Sequence, residues 1–223
     1  MRCNAMHPQR PLDIPHDPPR PFNAPSANPA YQRYREMTID ELLLENRIIF
    51  LVGEINYASA TGIIMRMLHL ANQKKDEEIN LYINSPGGSV DDTMAIYDTM
   101  QFLQCPIATY CIGRAMSGGA ITLLAGTKGK RYVLPHAKVM LHQPYGGVTG
   151  QTADIQIQAE EILKSKRMLT ELIARHTGQS VERVAEDSER DKYFTAEEAK
   201  SYGIVDEVLQ ATKGATKEGE KKP

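Results

Sequence analysis

Four short apolar runs, bounded by turn residues and separated by longer stretches of helical periodicity, constrain this chain more than anything else in it. "RIIFLVGEI" (residues 47–55), "INLYINS" (79–85), "IATYCIG" (107–113) and "KVMLHQP" (138–144) are rich in β-branched and aromatic residues. They read as buried strands. "ASATGIIMRMLHLANQKK" and "SVDDTMAIYDTMQFLQ" read as helices between them. The second opens with Ser89 and Asp92 at capping-box spacing, aspartate standing in for the preferred glutamate. Strands alternating with helices predict right-handed crossovers and an α/β fold. No repeat of 20–50 residues is evident, which argues against a solenoid.

One helical pattern is unusually long. "TADIQIQAEEILKSKRMLTELIARH" (152–176) carries an apolar stripe of Ile155, Ala159, Ile162, Leu163, Leu169, Leu172 and Ile173, and Gly178 is its stop. At about 1.5 Å per residue it reaches roughly 35 Å and overhangs a compact domain. Two readings stay open: a core helix, or an arm that packs on another subunit. Further on, Thr195 and Glu198 form a second capping-box pattern, closed by Gly203.

The ends differ from the body. Residues 1–30 hold most of the prolines, without an apolar run for a secretory signal. Proline also disfavours an amphipathic transit helix, so a disordered leader or propeptide is expected there. Residues 210–223 read as a charged, flexible tail. The rest, 31–209, reads as one domain. With 41% hydrophobic and 24% charged residues, the composition is that of a soluble globular protein. A formal net charge of -2 gives no electrostatic reason to bind nucleic acid or an anionic membrane, and no stretch is apolar enough to span one. Cys3, Cys105 and Cys111 suggest neither a disulfide framework nor a zinc site. A reducing cytoplasm fits these thiols.

Chemistry points first to "CIGRAMSGGAITLLAG" (111–126). Ser117 follows a predicted strand and opens a predicted helix, where unpaired N–H groups can hold a developing oxyanion. The surrounding "AMSGG" is close to G-x-S-x-G, with Ala115 in place of the first glycine. The competing role for such a serine is a helix cap. Among the six histidines, His7 and His16 lie in the leader, His69 and His176 on helical patterns, and His136 in a turn. His142 ends a buried strand, at the margin where loops form clefts, and suits a general base. The alternative is a buried, hydrogen-bonded imidazole. In "EDSERDKYF", Asp191 lies nearest the apolar residues and is expected to turn inward and orient the histidine. "NSPGGSV" (84–90) is a turn whose backbone N–H groups can face a ligand. No phosphate-loop pattern is present. "QPYGGVTGQ" reads as a link into the long helix.

Taken together, "LYINSPGGSV", "CIGRAMSGGA", "GKRYVLPHAKVMLHQPYGGVTGQTADI", "LIARHTGQS" and "DSERDKYFTAEEAKSYGIVDEVL" closely resemble the proteolytic subunit of the Clp protease family, from about residue 36 to 209. The resemblance implies a crotonase-like fold of repeated ββα units and a single serine peptidase domain over 31–209. It implies Ser117 as nucleophile, His142 as general base and acid, and Asp191 as the orienting carboxylate. The N–H groups of Gly88 and Gly118 would form the oxyanion hole. The segment at about 143–176 would be a handle interlocking two heptameric rings, with Arg190 helping to connect them. An AAA+ ATPase would dock at Tyr82, Tyr110, Ile112, Tyr132, Leu134 and Leu209 and feed in unfolded polypeptide. No metal or organic cofactor is implied.

Three departures stand out. Gly118 replaces the family's usual methionine after the serine, Met116 its alanine, and Arg114 its glutamine. The region "YREMTIDELLLENR", where the family's axial loops arise, matches only in part. These departures leave room for a weakly active or regulatory subunit in mixed rings. The shared fold leaves room for a crotonase-type acyl-CoA enzyme.

Overall fold

The computed structural model describes residues 37–147 and 149–210. The expected leader, all but the first residue of the expected tail, and Cys3, His7 and His16 lie outside these residues. Seven helices and seven strands occur among the described residues. The helices are α1 (Ile39–Glu45), α2 (Tyr57–Gln73), α3 (Val90–Phe102), α4 (Gly118–Leu124), α5 (Thr152–Thr177), α6 (Val181–Asp187) and α7 (Ala196–Tyr202). The strands are β1 (Ile48–Val52), β2 (Ile79–Ser85), β3 (Ile107–Met116), β4 (Arg131–Val133), β5 (Lys138–Leu141), β6 (Lys192–Phe194) and β7 (Glu207–Val208).

The strands join in the order β1-β2-β3-β4-β7, all parallel. β5 branches from the second half of β3, also parallel, and β6 pairs β5 antiparallel. This parallel-dominated α/β sheet is consistent with the crotonase-like fold. The alternation in β2 is strict: Ile79, Leu81, Ile83 and Ser85 are buried, while Asn80, Tyr82 and Asn84 are half-buried on the other face. The inner residues share one core with Ile63, Met67 and Leu70 of α2 and with Ile96, Tyr97 and Met100 of α3. Burying each such side chain contributes roughly 1.5–3 kcal/mol.

Several sequence expectations change in detail. β3 does not stop at Gly113 but continues through Met116. That glycine serves close approach, since a Cβ on it would lie 2.8 Å from the Asn84 Oδ1 of the neighbouring strand. Ser89 caps α3, accepting the Asp92 N–H at 3.3 Å, but the return half of the box is not made. Aspartate is one methylene shorter than the glutamate that closes such a box. Thr195 and Glu198 do close theirs, and Gly178 and Gly203 end their helices in the left-handed conformation.

The long helix α5 is core at one end and exposed at the other. Thr170, Leu172, Ile173 and Ala174 pack into the core near its C-terminal end. Residues 152–161 are exposed throughout, Ile155 and Ile157 included. With 26 residues it is about 39 Å long.

Two buried arginines tie loops to this frame. The Arg47 guanidinium donates to the carbonyls of Glu78 (2.9 Å), Leu70 (3.1 Å), Lys74 (3.3 Å) and Glu77 (2.8 Å), fixing the turn before β2. Arg131, 1% exposed, makes a forked pair with Asp206 at 2.9 and 2.7 Å. Asp206 also accepts the N–H groups of Gly129 (2.7 Å) and Arg131 (3.1 Å). Burial works to raise the Asp206 carboxyl, but the hydrogen bonds and charge of Arg131 outweigh it and hold the group below its ordinary range. A carboxyl lowered in the fold contributes stability above its unfolded value, near 3.9, and loses it as pH falls through the lower folded value. Asp206→Asn is therefore expected to destabilise the protein at pH 7 by about 3–5 kcal/mol, since Arg131 loses its counter-charge. It should also flatten the acid limb of stability below about pH 4. Urea unfolding of both forms at pH 7 and pH 3 measures this; parallel losses in the two proteins would refute it.

Candidate active site

Strand register assembles the site. The last residues of β3 pair with β5, Met116 opposite Met140, and the Ser117 N–H continues the ladder by donating to the Met140 carbonyl at 2.9 Å. Ser117 is thus held one residue past the end of β3. On the far side of β5, Leu141 stands opposite Lys192 of β6. Carrying that antiparallel register one step further sets His142 opposite Asp191. Two more bonds lock these ends together: Gln143 N–H to the Ser188 carbonyl (2.6 Å), and Gln143 Nε2 to the Glu189 carbonyl (3.0 Å). Ligand sites in open α/β sheets lie at the carboxyl ends of strands, and this one follows that rule.

The three side chains form a continuous line. Ser117 Oγ lies 2.9 Å from His142 Nε2, and His142 Nδ1 lies 3.0 Å from Asp191 Oδ1. An ionised carboxylate only accepts, so Nδ1 carries the proton and Nε2 of the neutral ring accepts the serine hydroxyl. That is the tautomer needed to take a proton from Ser117. The His142 ring is 14% exposed and meets Tyr145 edge-on at 5.3 Å. Asp191 does not turn inward as expected: its side chain is 56% exposed. In β6 it is Phe194 that enters the core, while Tyr193 faces out, so proximity to "YF" was the wrong guide.

Ser117 does not cap its helix, because its side chain makes no bond to the first turn of α4. Its backbone has φ 52 and ψ -121. A serine in this left-handed region costs of order 1–3 kcal/mol, and the sharp turn presents Oγ to the cleft. The "SPGG" turn abuts it. A Cβ on Gly87 would lie 2.6 Å from the Met116 carbonyl oxygen and 2.7 Å from Ser117 Cβ, and Gly87 has φ +91. Gly88 (φ +159) lies against Ile55, bridged through Ile55 N–H to Gly87 O and Ser89 N–H to Ile55 O, both 2.9 Å. Gly118 opens α4, where the first N–H groups have no helical acceptor. Gly88, Ser117, Gly118 and His142 line one cleft, walled by Val90, Thr93, Ile121, Leu141, Pro144, Leu169 and Ile173. A serine in a strained turn, an imidazole in reach of its hydroxyl and neighbouring backbone N–H groups in a mostly apolar cleft are the parts that acyl transfer needs.

The other candidates fall elsewhere. Cys111 is fully buried, and that burial pushes its thiol up to about 12, so it is not a nucleophile at neutral pH. His69 bonds Gln73 on α2, and His176 bonds the Tyr97 hydroxyl at 2.8 Å. No cluster of three or more metal-ligating side chains occurs among the described residues. Arg190 is exposed beside Asp191. Tyr82, Tyr110 and Tyr132 stack in register across β2, β3 and β4, with centroids 4.6 and 4.9 Å apart. Phe50 of β1 extends the row at 5.3 Å, a member sequence reasoning missed although the even strand spacing carries it. Ile112 and Leu209 are half-buried, and Leu134 is exposed.

Comparison with known proteins gives a consistent result. The sequence profile of the Clp protease family matches residues 31–212. The chain is 55% identical over 183 residues to the ATP-dependent Clp protease proteolytic subunit 1 of Rhodopirellula baltica, covering 82% of this chain and 81% of the relative.

Gly87 gives a direct test of the geometry. Gly87→Ala is expected to slow modification of Ser117 by a fluorophosphonate on the order of 100-fold, since its Cβ must push the serine turn away. Labelling at the wild-type rate, followed by intact mass, would show that the turn does not hold Ser117 in place.

Proposed function

Because the chain belongs to the Clp protease family, whose members are serine-type peptidases, we propose that it serves as the proteolytic subunit of an ATP-dependent protease and cleaves unfolded polypeptides through an acyl-enzyme on Ser117. The observation that carries this reading is the line of hydrogen bonds from Ser117 through His142 to Asp191, at 2.9 and 3.0 Å.

In this mechanism Ser117 Oγ attacks the scissile carbonyl carbon as His142 Nε2 takes the hydroxyl proton. The carbonyl oxygen gains negative charge and is held by the N–H groups of Gly88 and Gly118. Collapse breaks the C–N bond, and His142 returns its proton to the departing amine. Water then enters, His142 takes a proton from it, and a second collapse frees the acid and restores Ser117. Asp191 stays ionised throughout, holding Nδ1–H and stabilising the imidazolium.

The family assembles into oligomers and works with Clp ATPase partners. For this chain the finer reading is two stacked heptameric rings, homomeric or mixed with a paralogue, in the cytoplasm. The exposed first half of α5 supports its role as the ring-to-ring handle, and Arg190 is exposed next to Glu189, which accepts from Lys166 of the same helix at 3.1 Å. The half-buried aromatic row supports docking of an AAA+ ATPase along the outer face of the sheet, at Tyr82, Tyr110, Ile112, Tyr132, Leu134 and Leu209. No helix among the described residues is long and apolar enough to cross a membrane.

A fluorophosphonate should add one adduct to the wild-type chain and none to Ser117→Ala, by intact mass. Asp191→Asn should lower peptidase kcat on the order of 10³-fold or more, with circular dichroism unchanged, because the amide favours the wrong tautomer. An Asp191→Asn rate near wild type, or an adduct on Ser117→Ala, would sink the assignment.

A further inference from the structure

Thr93 is one of few polar side chains sealed in the core, 2% exposed, and the mechanism above gives it no task. It stands in the first turn of α3 and borders the cleft. Its Oγ1 donates to the Ser89 carbonyl at 2.7 Å, the same carbonyl that accepts the Thr93 N–H at 3.0 Å. The hydroxyl is thereby pinned toward the turn that carries Gly88.

Gly118 lies directly against it. A Cβ built on Gly118 would sit 2.3 Å from Thr93 Oγ1, 3.3 Å from Thr93 Cβ and 3.3 Å from Ile55 Cδ1. Gly118 has no left-handed φ, unlike Gly87 and Gly88, so its backbone conformation does not require glycine. The space requires it. Thr93 fills the volume that a side chain at 118 would take. The neighbour on the other flank, Ile55, is the residue that bridges Gly87 and Ser89. Ile55 and Thr93 thus both abut Gly118, and Ile55 joins it to the Gly88 turn.

We infer that Thr93 and Gly118 are a size-matched pair that fixes the separation of the Gly88 and Gly118 N–H groups, making Thr93 a positioning residue for acyl transfer. This inference rests on the peptidase reading above. The physical reason is preorganisation. Glycine alone is a loose carrier for an oxyanion donor, and a donor stabilises charge in proportion to how firmly it is held beforehand. Thr93 supplies the firmness that a side chain at 118 would otherwise bring.

The pair makes an unusual demand on a mutant cycle: each change alone is harmful, and together they compensate. Gly118→Ala should lower kcat on small peptides by about 100-fold with KM little changed, since an error near 1 Å in a catalytic group costs that much. Thr93→Gly should also lower kcat, by leaving Gly118 unpacked. The double variant Thr93→Gly/Gly118→Ala should exceed both single variants. Thr93→Ser keeps a hydroxyl oxygen in the contested volume and should not rescue Gly118→Ala. Circular dichroism and oligomer size accompany each rate, and fluorophosphonate labelling of Ser117 gives a second readout. A double variant no faster than Thr93→Gly overturns the inference, even where Gly118→Ala alone does not fold. Full kcat in Gly118→Ala overturns it as well. A wild-type protein that neither labels nor cleaves removes the peptidase reading and the inference together. Wild-type turnover with additive losses removes the inference alone.

Discussion

Everything in this molecule hangs on the way β3 divides its free edge between two neighbours. One edge runs along β2 for most of its length; the other pairs β4 at Thr109–Cys111 and β5 at Arg114–Met116. The sheet therefore forks after Gly113. Without the fork, β5 would have no place beside the end of β3, and His142 would not meet Ser117. Without β5, β6 would have no partner to set Asp191 opposite His142. The cleft lies at this fork because three strand ends arrive there together, each bringing one member of the Ser117–His142–Asp191 line.

The turn at Ser117 shows how that frame is used. A non-glycine residue at φ 52 persists only where its surroundings over-determine it. Here the Ser117 N–H is spent on the Met140 carbonyl, and the Gly87 turn closes from the other side. Local backbone cost is offset by ladder hydrogen bonds and core packing built up over the preceding ten residues of β3.

Much of this was legible in the sequence, for identifiable reasons. β2 was readable to the residue because it alternates without exception, and α5 because its period and its glycine stop agree. Ser117 and His142 were readable because both sit where a buried run gives way to a turn. The rest was hidden for equally physical reasons. β4, β6 and β7 have only two or three residues, too few to show a period. Gly113 looked like a stop because glycine has two uses, and only the neighbouring strand reveals that this one concerns distance. Asp191 was singled out for apolar neighbours, whereas the register of a strand too short to detect is what places it. Nothing in the local sequence announces that four carbonyls wait for Arg47 or a paired carboxylate for Arg131. The Thr93–Gly118 fit joins two motifs that sequence reasoning treated separately.

The uncovered half of α5 has a consequence for how the protein is handled. A helical segment without tertiary contacts is marginal in water, and its apolar side chains gain nothing until another surface meets them. A surface that covered it would act thermodynamically as a ligand for the folded arm, and the arm's stability would depend on the concentration of that surface. Dilution would then act as a denaturant for this one element, leaving the forked sheet intact. A sample would look fully folded by bulk measures after its extremity had melted.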